Sequence, residues 1–295
     1  MKIFITGGSG ILGQYLNNEL SQKHEILTQF RTYEGNCRNF NFARLSITEY
    51  DKIDEIFRSF KPDIVIHTAA VSSPEKADEL PAQTVYDINV NSTKKIAEFC
   101  EKYKSRLFYI STDLVYAGYR GSMLTENSKL IPISIYAETK LMGEVKIEET
   151  FEDYIILRES LLIGFGLNHA RNNFHMMYEN LKNGIPVKLF TDQFRTPLAL
   201  KDSARMIGDL INKNVSNEIF NLGGSERISR SEIGEIVCDI TGFDKNLIIK
   251  TTMDEVGIPY KVHDVSLSIE KLNAFDIKPL SLHNSIHNII AQYGQ

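Results

Sequence analysis

The stretch KIFITGGSGILGQYL, Lys2 to Leu16, decides the fold. Its first five residues form a short apolar run of the kind that makes a buried strand. The run enters a glycine-rich turn without a linker, and beyond the turn Tyr15, Leu16 and Leu20 repeat at helical spacing. Gly7, Gly10 and Gly13 give G-x-x-G-x-x-G, while Gly8, Gly10 and Gly13 also satisfy G-x-G-x-x-G. A strand, a glycine turn and a helix in this order can cradle a pyrophosphate. The missing side chains let the backbone come close, and the helix N-terminus offers free N–H groups and the positive end of its dipole. Gly7, Gly10, Ile11, Leu12 and Gly13 are therefore expected to bind a dinucleotide cofactor. Either pattern alone is weak; its position between a strand and a helix gives it weight.

Outward from this unit the same rhythm returns. The apolar runs HEILTQF, DIVIHTAA, RLFYIST and YIILRES alternate with the helical patterns EYDKIDEIFRSF, TVYDINVNSTKKIAEFCEKY and AETKLMGEVKIEETF. Parallel strands need helical crossovers, so the pattern implies an α/β protein with a doubly wound parallel sheet of the Rossmann type. Ligands of such sheets bind at the carboxyl ends of the strands. Beyond Leu161, Gly, Asn and Pro interrupt the rhythm. A dinucleotide-binding domain over residues 1–163, completed by about 194–223, is expected, with a smaller C-terminal α/β substrate lobe over 164–193 and 224–295.

Composition bounds the function. The chain has 295 residues, 42% hydrophobic and 24% charged, which suits a large globular core. A net charge of −5 and the lack of a dense Lys/Arg run argue against a nucleic-acid partner. Cys37, Cys100 and Cys238 are odd in number and widely spaced, which fits free thiols in a reducing cytoplasm. The first apolar run is too short for a signal peptide, and no stretch is long enough to span a membrane, so a soluble cytoplasmic protein is expected. The seven His show no metal-ligand spacing, and no metal is expected.

ISIYAETKLMGE, Ile133 to Glu144, places Tyr136 and Lys140 four positions apart, on one face of a helix. That geometry suits proton transfer, but with 13 Tyr in the chain a bare match is what chance supplies, and Tyr178 with Lys182 is a second copy. After the second strand, LTQFRT offers Arg31 and no acidic residue. An acidic residue there would hold ribose hydroxyls, whereas Arg31 can grip a 2′-phosphate, so NADP(H) is the expected cofactor, with NAD(H) the alternative.

TGGSGILG, KPDIVIHTAA, INVNST, STDLVYAG, YAETKLMGE, DQFRTP and FNLGG, in this order, resemble the extended short-chain dehydrogenase/reductase family. Within it the likeness is closest to the dTDP-4-dehydrorhamnose reductase group, and it covers nearly the whole chain. The resemblance implies NAD(P)H-dependent reduction of the 4-keto group of a nucleotide-linked 4-keto-6-deoxy sugar, for surface polysaccharide synthesis. It separates Tyr136 from Tyr178, because the family's catalytic Tyr follows a strand-end Ser/Thr by some two dozen residues and Thr112 precedes Tyr136 by 24. Tyr136 is then the proton donor, Lys140 the cation that favours its phenolate and binds the cofactor ribose, and Thr112 the hydroxyl that orients the carbonyl. Asn89 matches the family's helix Asn near the site, with a plain surface Asn as the alternative. Asp113 matches a residue near the sugar, or ties down its own loop.

By the same resemblance Ala69 and Ala70 lie beside the cofactor, and Ser46 stands where the family usually has an Asp near the adenine. Asn173 and Arg195 are substrate candidates, either of which could instead close the lobe; a guanidinium suits phosphate. Glu159 departs from the family's small polar residue, and a buried carboxylate there needs a partner. Glu126 carries no expected role, and His67 is expected to pack rather than react. The likeness admits two rivals: an epimerase or dehydratase of nucleotide sugars using bound NAD, and a non-catalytic regulatory subunit like that of methionine adenosyltransferase. It also admits a homodimer.

Overall fold

The computed structural model describes residues 1–119 and 121–293. Among these, seven strands form one parallel sheet: β1 (Lys2–Thr6), β2 (Glu25–Phe30), β3 (Asn41–Arg44), β4 (Ile64–His67), β5 (Arg106–Thr112), β6 (Tyr154–Glu159) and β7 (Glu218–Leu222). Their spatial order is 3-2-1-4-5-6-7. The chain winds outward from β1 through β2 to β3, then returns to β4 and winds the other way. The resulting crevice between β1 and β4 is where a doubly wound sheet holds its ligand. The structure thus has the expected Rossmann-like α/β architecture.

Side-chain alternation sorts the core into two layers. Ile3, Ile5, Ile66, Phe108, Ile110, Ile155, Leu157 and Phe220 face helices α1 (Ile11–Leu20) and Leu200–Ile211. Phe4, Val65, Leu107, Tyr109 and Ile156 face α2 (Tyr50–Phe60), α3 (Ser92–Tyr103) and α4 (Ile135–Glu148). Strand β3 was not legible in the sequence. Its NFAR lies at the sheet edge, largely exposed, and is held as a strand by its pairing with β2 rather than by a hydrophobic pattern.

Between β6 and β7 and after β7 the chain builds a second layer around Phe165, Phe174, Met177, Tyr178, Val187, Ile233, Val237 and Ile286. A two-stranded parallel sheet, Val187–Phe190 with Ile248–Thr251, supports it. One buried polar network ties α4 and the segment after β5 to the last two strands of the sheet. Arg158 on β6 forks onto Glu144 of α4, Nη2 to Oε2 at 2.8 Å, with both side chains almost fully buried. Ser111 adds a hydrogen bond to Glu144 Oε1, and Arg158 Nη1 reaches the Tyr116 hydroxyl and the Glu126 carbonyl, each at 3.0 Å. Tyr116 donates in turn to Asn221 of β7 at 2.7 Å. Among the described residues no helix is long and apolar enough to cross a membrane.

Candidate active site

The glycine turn is a close-packed backbone crossing. Gly7 has φ +68°, a left-handed conformation that favours glycine, and a Cβ there would lie 2.7 Å from the Ala69 nitrogen. A Cβ on Gly13 would meet the Gly7 carbonyl oxygen at 2.4 Å. Helix α1 begins at Gly10 with no side-chain cap and no acidic residue in its first turn, so its positive end stays open to an anion. Gly13→Ala would push a methyl group into the turn. We expect the dinucleotide Kd to rise about tenfold or more; an unchanged Kd in a fluorescence titration would mean that the ligand does not lie on this turn.

Gln14, fully buried on α1, ties the turn to its surroundings. It donates to the Ser9 and Leu167 carbonyls at 3.0 and 3.1 Å and accepts from Asn36 N at 3.1 Å and Asn168 Nδ2 at 2.6 Å. Tyr33, after β2, and His169, from the loop after β6, face each other at 5.0 Å between ring centroids. Arg31 lies exposed at the end of β2, and Arg44 from β3 donates to its carbonyl at 3.4 Å. The Ser46 hydroxyl is engaged with Thr48 Oγ1 at 2.9 Å in the loop before α2. Ala69 and Ala70 follow β4, across from the turn, and the Ala69 N–H meets Thr6 Oγ1 at 3.3 Å.

The reaction-centre candidates converge at the ends of β5 and β6. Ser134 caps α4 by accepting from the Ala137 N–H at 3.2 Å, which fixes where the helix starts and where Tyr136 and Lys140 point. Tyr136 is buried, and its phenol is close enough to the Thr112 hydroxyl to feel it. Burial holds this phenol well above its ordinary value; the nearby Thr112 hydroxyl opposes that, and the carboxyls of Asp113, Glu159 and Glu75 reinforce it. Lys140 is also buried, its Nζ 4.0 Å above the Tyr109 ring centroid. Burial brings it down to about 7, against the pull of Glu144 and Glu159. Deprotonating Tyr136 therefore needs a ligand that favours the phenolate, or a charged Lys140 moved closer.

Asn89 is buried rather than a surface residue. It sits in a π-helical turn, Asp87–Asn91, where its Oδ1 accepts from Val71 N at 2.8 Å and its Nδ2 donates to Val71 O and Thr139 Oγ1 at 3.2 and 3.0 Å. The side chain braces the strap after β4 against α4, between Tyr136 and Lys140.

Asp113 is buried next to Thr112, which donates to its Oδ1 at 3.3 Å. Burial raises its carboxyl, and Arg195 and Arg230 oppose that. Arg195 Nε lies 3.4 Å from Asp113 Oδ2, while its Nη1 is bonded to the Phe194 and Val262 carbonyls, so it ties the second layer to the β5 end. Arg230, at the start of the helix Arg230–Thr241, was not singled out by the sequence. Burial and the neighbouring Arg195 bring it down to about 9, and its Nε donates to Gln193 Oε1 at 2.8 Å. No local pattern marks it, because its neighbours come from more than 30 residues away. Arg230 also lines a cavity of about 330 Å³, with Asn173, Met177, Phe190 and Gln193.

Other candidates lie apart. Tyr178 is packed in the second layer among Phe165, Phe243 and Tyr293, while Lys182 is exposed, so the second Tyr-x-x-x-Lys pairs a core ring with a surface charge. Glu126 accepts from the Asn221 N–H at 2.9 Å. His67 is fully buried between Thr6 and Thr93 hydroxyls at 2.7 and 3.1 Å, and burial lowers it to about 3, so it stays neutral. All three Cys are free and buried. Among the described residues no group of His, Cys, Asp or Glu could hold a metal ion.

The geometry has relatives. The profile of the family described as RmlD substrate binding domain matches residues 1–295. A dTDP-4-dehydrorhamnose reductase of Aggregatibacter actinomycetemcomitans is 26% identical, covering 98% of both chains. A probable low-salt glycan biosynthesis reductase of Haloferax volcanii is also 26% identical, over 88% of this chain and 86% of that one. The crystal structure of a dTDP-4-dehydrorhamnose reductase from Clostridium acetobutylicum superposes with a TM-score of 0.85 at 26% identity, covering both chains fully.

Proposed function

Because the chain belongs to the RmlD substrate binding domain family, within the extended short-chain dehydrogenases/reductases, we propose that it reduces the 4-keto group of a nucleotide-activated 4-keto-6-deoxy sugar with NADPH. The observation that carries this reading is the buried Tyr136 phenol beside the Thr112 hydroxyl at the end of β5, one helical turn before the buried Lys140. A ketone oxygen seated between Thr112 and Tyr136 would receive a proton as hydride reaches its carbon. Thr112 orients that oxygen, Lys140 supplies the cation, and Asn89 holds α4 in place. Asp113, steadied by Arg195, faces the sugar, and Asn173 with Arg230 lines the cavity assigned to the rest of the nucleotide sugar. Residues 164–193 and 224–295 act as the substrate lobe, and the product serves surface polysaccharide synthesis.

The residues present fit the cofactor. The open N-terminus of α1 takes the pyrophosphate, with Ile11, Leu12 and Gly13 supplying N–H groups and Ala69 and Ala70 walling the crevice. Arg31, joined by Arg44, receives the 2′-phosphate; Ser46 is held to its own loop and adds little at the adenine. The reading is tested by adding the protein to NADPH with and without a freshly made dTDP-4-keto-6-deoxy sugar and following absorbance at the reduced-nicotinamide band. Substrate-dependent oxidation is expected; its absence with cofactor bound would favour the epimerase or regulatory readings. Arg31→Ala should weaken NADPH binding about tenfold or more while leaving NADH binding within about twofold, because one charge-assisted phosphate contact is lost. Equal effects on both cofactors would remove Arg31 from the 2′-phosphate site.

A further inference from the structure

Glu159 is a buried carboxyl without an ion pair. It ends β6, 8% exposed, and no described cation lies within salt-bridge distance, in contrast to Glu144 one layer away on Arg158. Its Oε1 accepts from the Ser203 hydroxyl at 2.5 Å. Its Oε2 has no hydrogen-bond partner among the described residues and is not fully sealed from solvent. A buried, unpaired carboxylate is costly, so such a group either keeps its proton or meets a positive charge brought by a ligand.

The register says where that ligand would be. Glu159 is the parallel-pair neighbour of Thr112, and alternation from Phe108 and Ile110, and from Ile155 and Leu157, puts both side chains on the sheet face that carries α1. A hydride donor must lie against the carbonyl carbon whose oxygen touches Thr112 and Tyr136, and the same donor is anchored on α1. A donor that reaches this carbon from α1 would end beside Thr112 on β5, one strand from Glu159 on the same face. A nicotinamide ring is neutral when reduced and positively charged when oxidised.

We propose that Glu159 is a redox-state sensor for the bound cofactor: its open carboxyl oxygen pairs with the positive oxidised ring, and it keeps its proton when the ring is reduced or absent. This deepens the NADP(H) reading and rests on it. Besides Ser203 on the helix Leu200–Ile211, the charged groups that bear on Glu159 are Asp113, after β5, and Lys140 on α4; Tyr136 feels it in turn. Burial first, and then Asp113, raise Glu159 to about 8, while Ser203 and Lys140 hold it down. Binding of NADP⁺ would release the Glu159 proton to solvent; binding of NADPH would not. Ionised Glu159 also disfavours the Tyr136 phenolate, so the same proton links product release to readiness for the next turnover.

The test is equilibrium binding of NADP⁺ and of NADPH between pH 6 and 9, by calorimetry in buffers of different ionisation enthalpy, with wild type, Glu159→Gln and Ser203→Ala. For wild type the ratio of NADP⁺ to NADPH affinity should rise about tenfold across the range, with proton release on NADP⁺ binding alone. Glu159→Gln, close in size and shape, should bind both forms with a ratio independent of pH. Ser203→Ala keeps the carboxyl, and should keep the pH dependence with its midpoint moved upward, because a hydrogen bond to the ionised form is lost. A wild-type ratio independent of pH, or one whose pH dependence survives in Glu159→Gln, would overturn the proposal. If neither cofactor binds at all, the NADP(H) reading itself fails.

Discussion

Tyr136→Phe should lower kcat for ketone reduction by about 10²–10⁴-fold while the Kd for NADPH stays within a few-fold. The ring keeps its packing beside Val71, Ala77 and Val85, and Thr112 keeps its bond to Asp113, so only the proton donor is lost. Rapid-mixing turnover with a parallel fluorescence titration separates the two quantities. A variant that retains full activity would remove Tyr136 from the chemistry; one that also loses NADPH binding would mean that the phenol shapes the cofactor site. The pH profile carries the same argument. Lys140, brought down from the ordinary lysine value to about 7, is a cation below that pH and neutral above it. Reduction consumes a proton, so kcat/KM should fall as pH rises through this range, and Lys140→Met should abolish that limb together with most of the activity.

The largest effect on stability is expected at Glu144. Glu144→Gln keeps the shape but leaves the Arg158 guanidinium buried, 3% exposed, without its carboxylate. Breaking a buried pair in this way costs about 3–5 kcal/mol, and a shift in the urea midpoint at unchanged slope would measure it. Replacing both partners, Glu144→Leu with Arg158→Met, should recover much of the loss, because the expense lies in the orphaned charge rather than in the missing attraction. A loss under 1 kcal/mol in the single variant would mean that Tyr116 and the Glu126 carbonyl suffice for Arg158.

What could be read from sequence was whatever lies within one turn or one crossover. Lys2 to Leu16 announced its strand, turn and helix because the signals are adjacent, and the strands after it repeated the pattern. Tyr136 could be told from Tyr178 only by counting back to Thr112, since both carry Lys four residues on; the structure buries Tyr178 among lobe aromatics. Contacts across long separations were silent. Nothing near Arg230 reveals that it looks toward Asp113, and nothing near Gln14 reveals Leu167 and Asn168. Glu159 stood out as a misplaced carboxyl, but its partner Ser203 lies 44 residues on, within an ordinary helix. Asn89 was matched to a site position by resemblance, with a surface Asn as the alternative, and the structure buries it in a π-helical turn that no local pattern announced.

The last strand of the sheet bears on how the protein is made. β6 ends at Glu159, and its outer edge is covered only when Glu218–Leu222 has been synthesised and has docked beside it. On the ribosome, the nascent sheet would spend the intervening synthesis with a parallel edge of Tyr154, Ile155, Ile156 and Leu157 unpaired, a template for association with another nascent chain. The contacts that close this edge, Asn221 to Tyr116 and Glu126, are long in sequence, and loop closure delays such contacts. Slower synthesis of residues 160–222 would lengthen the time that this edge stays open.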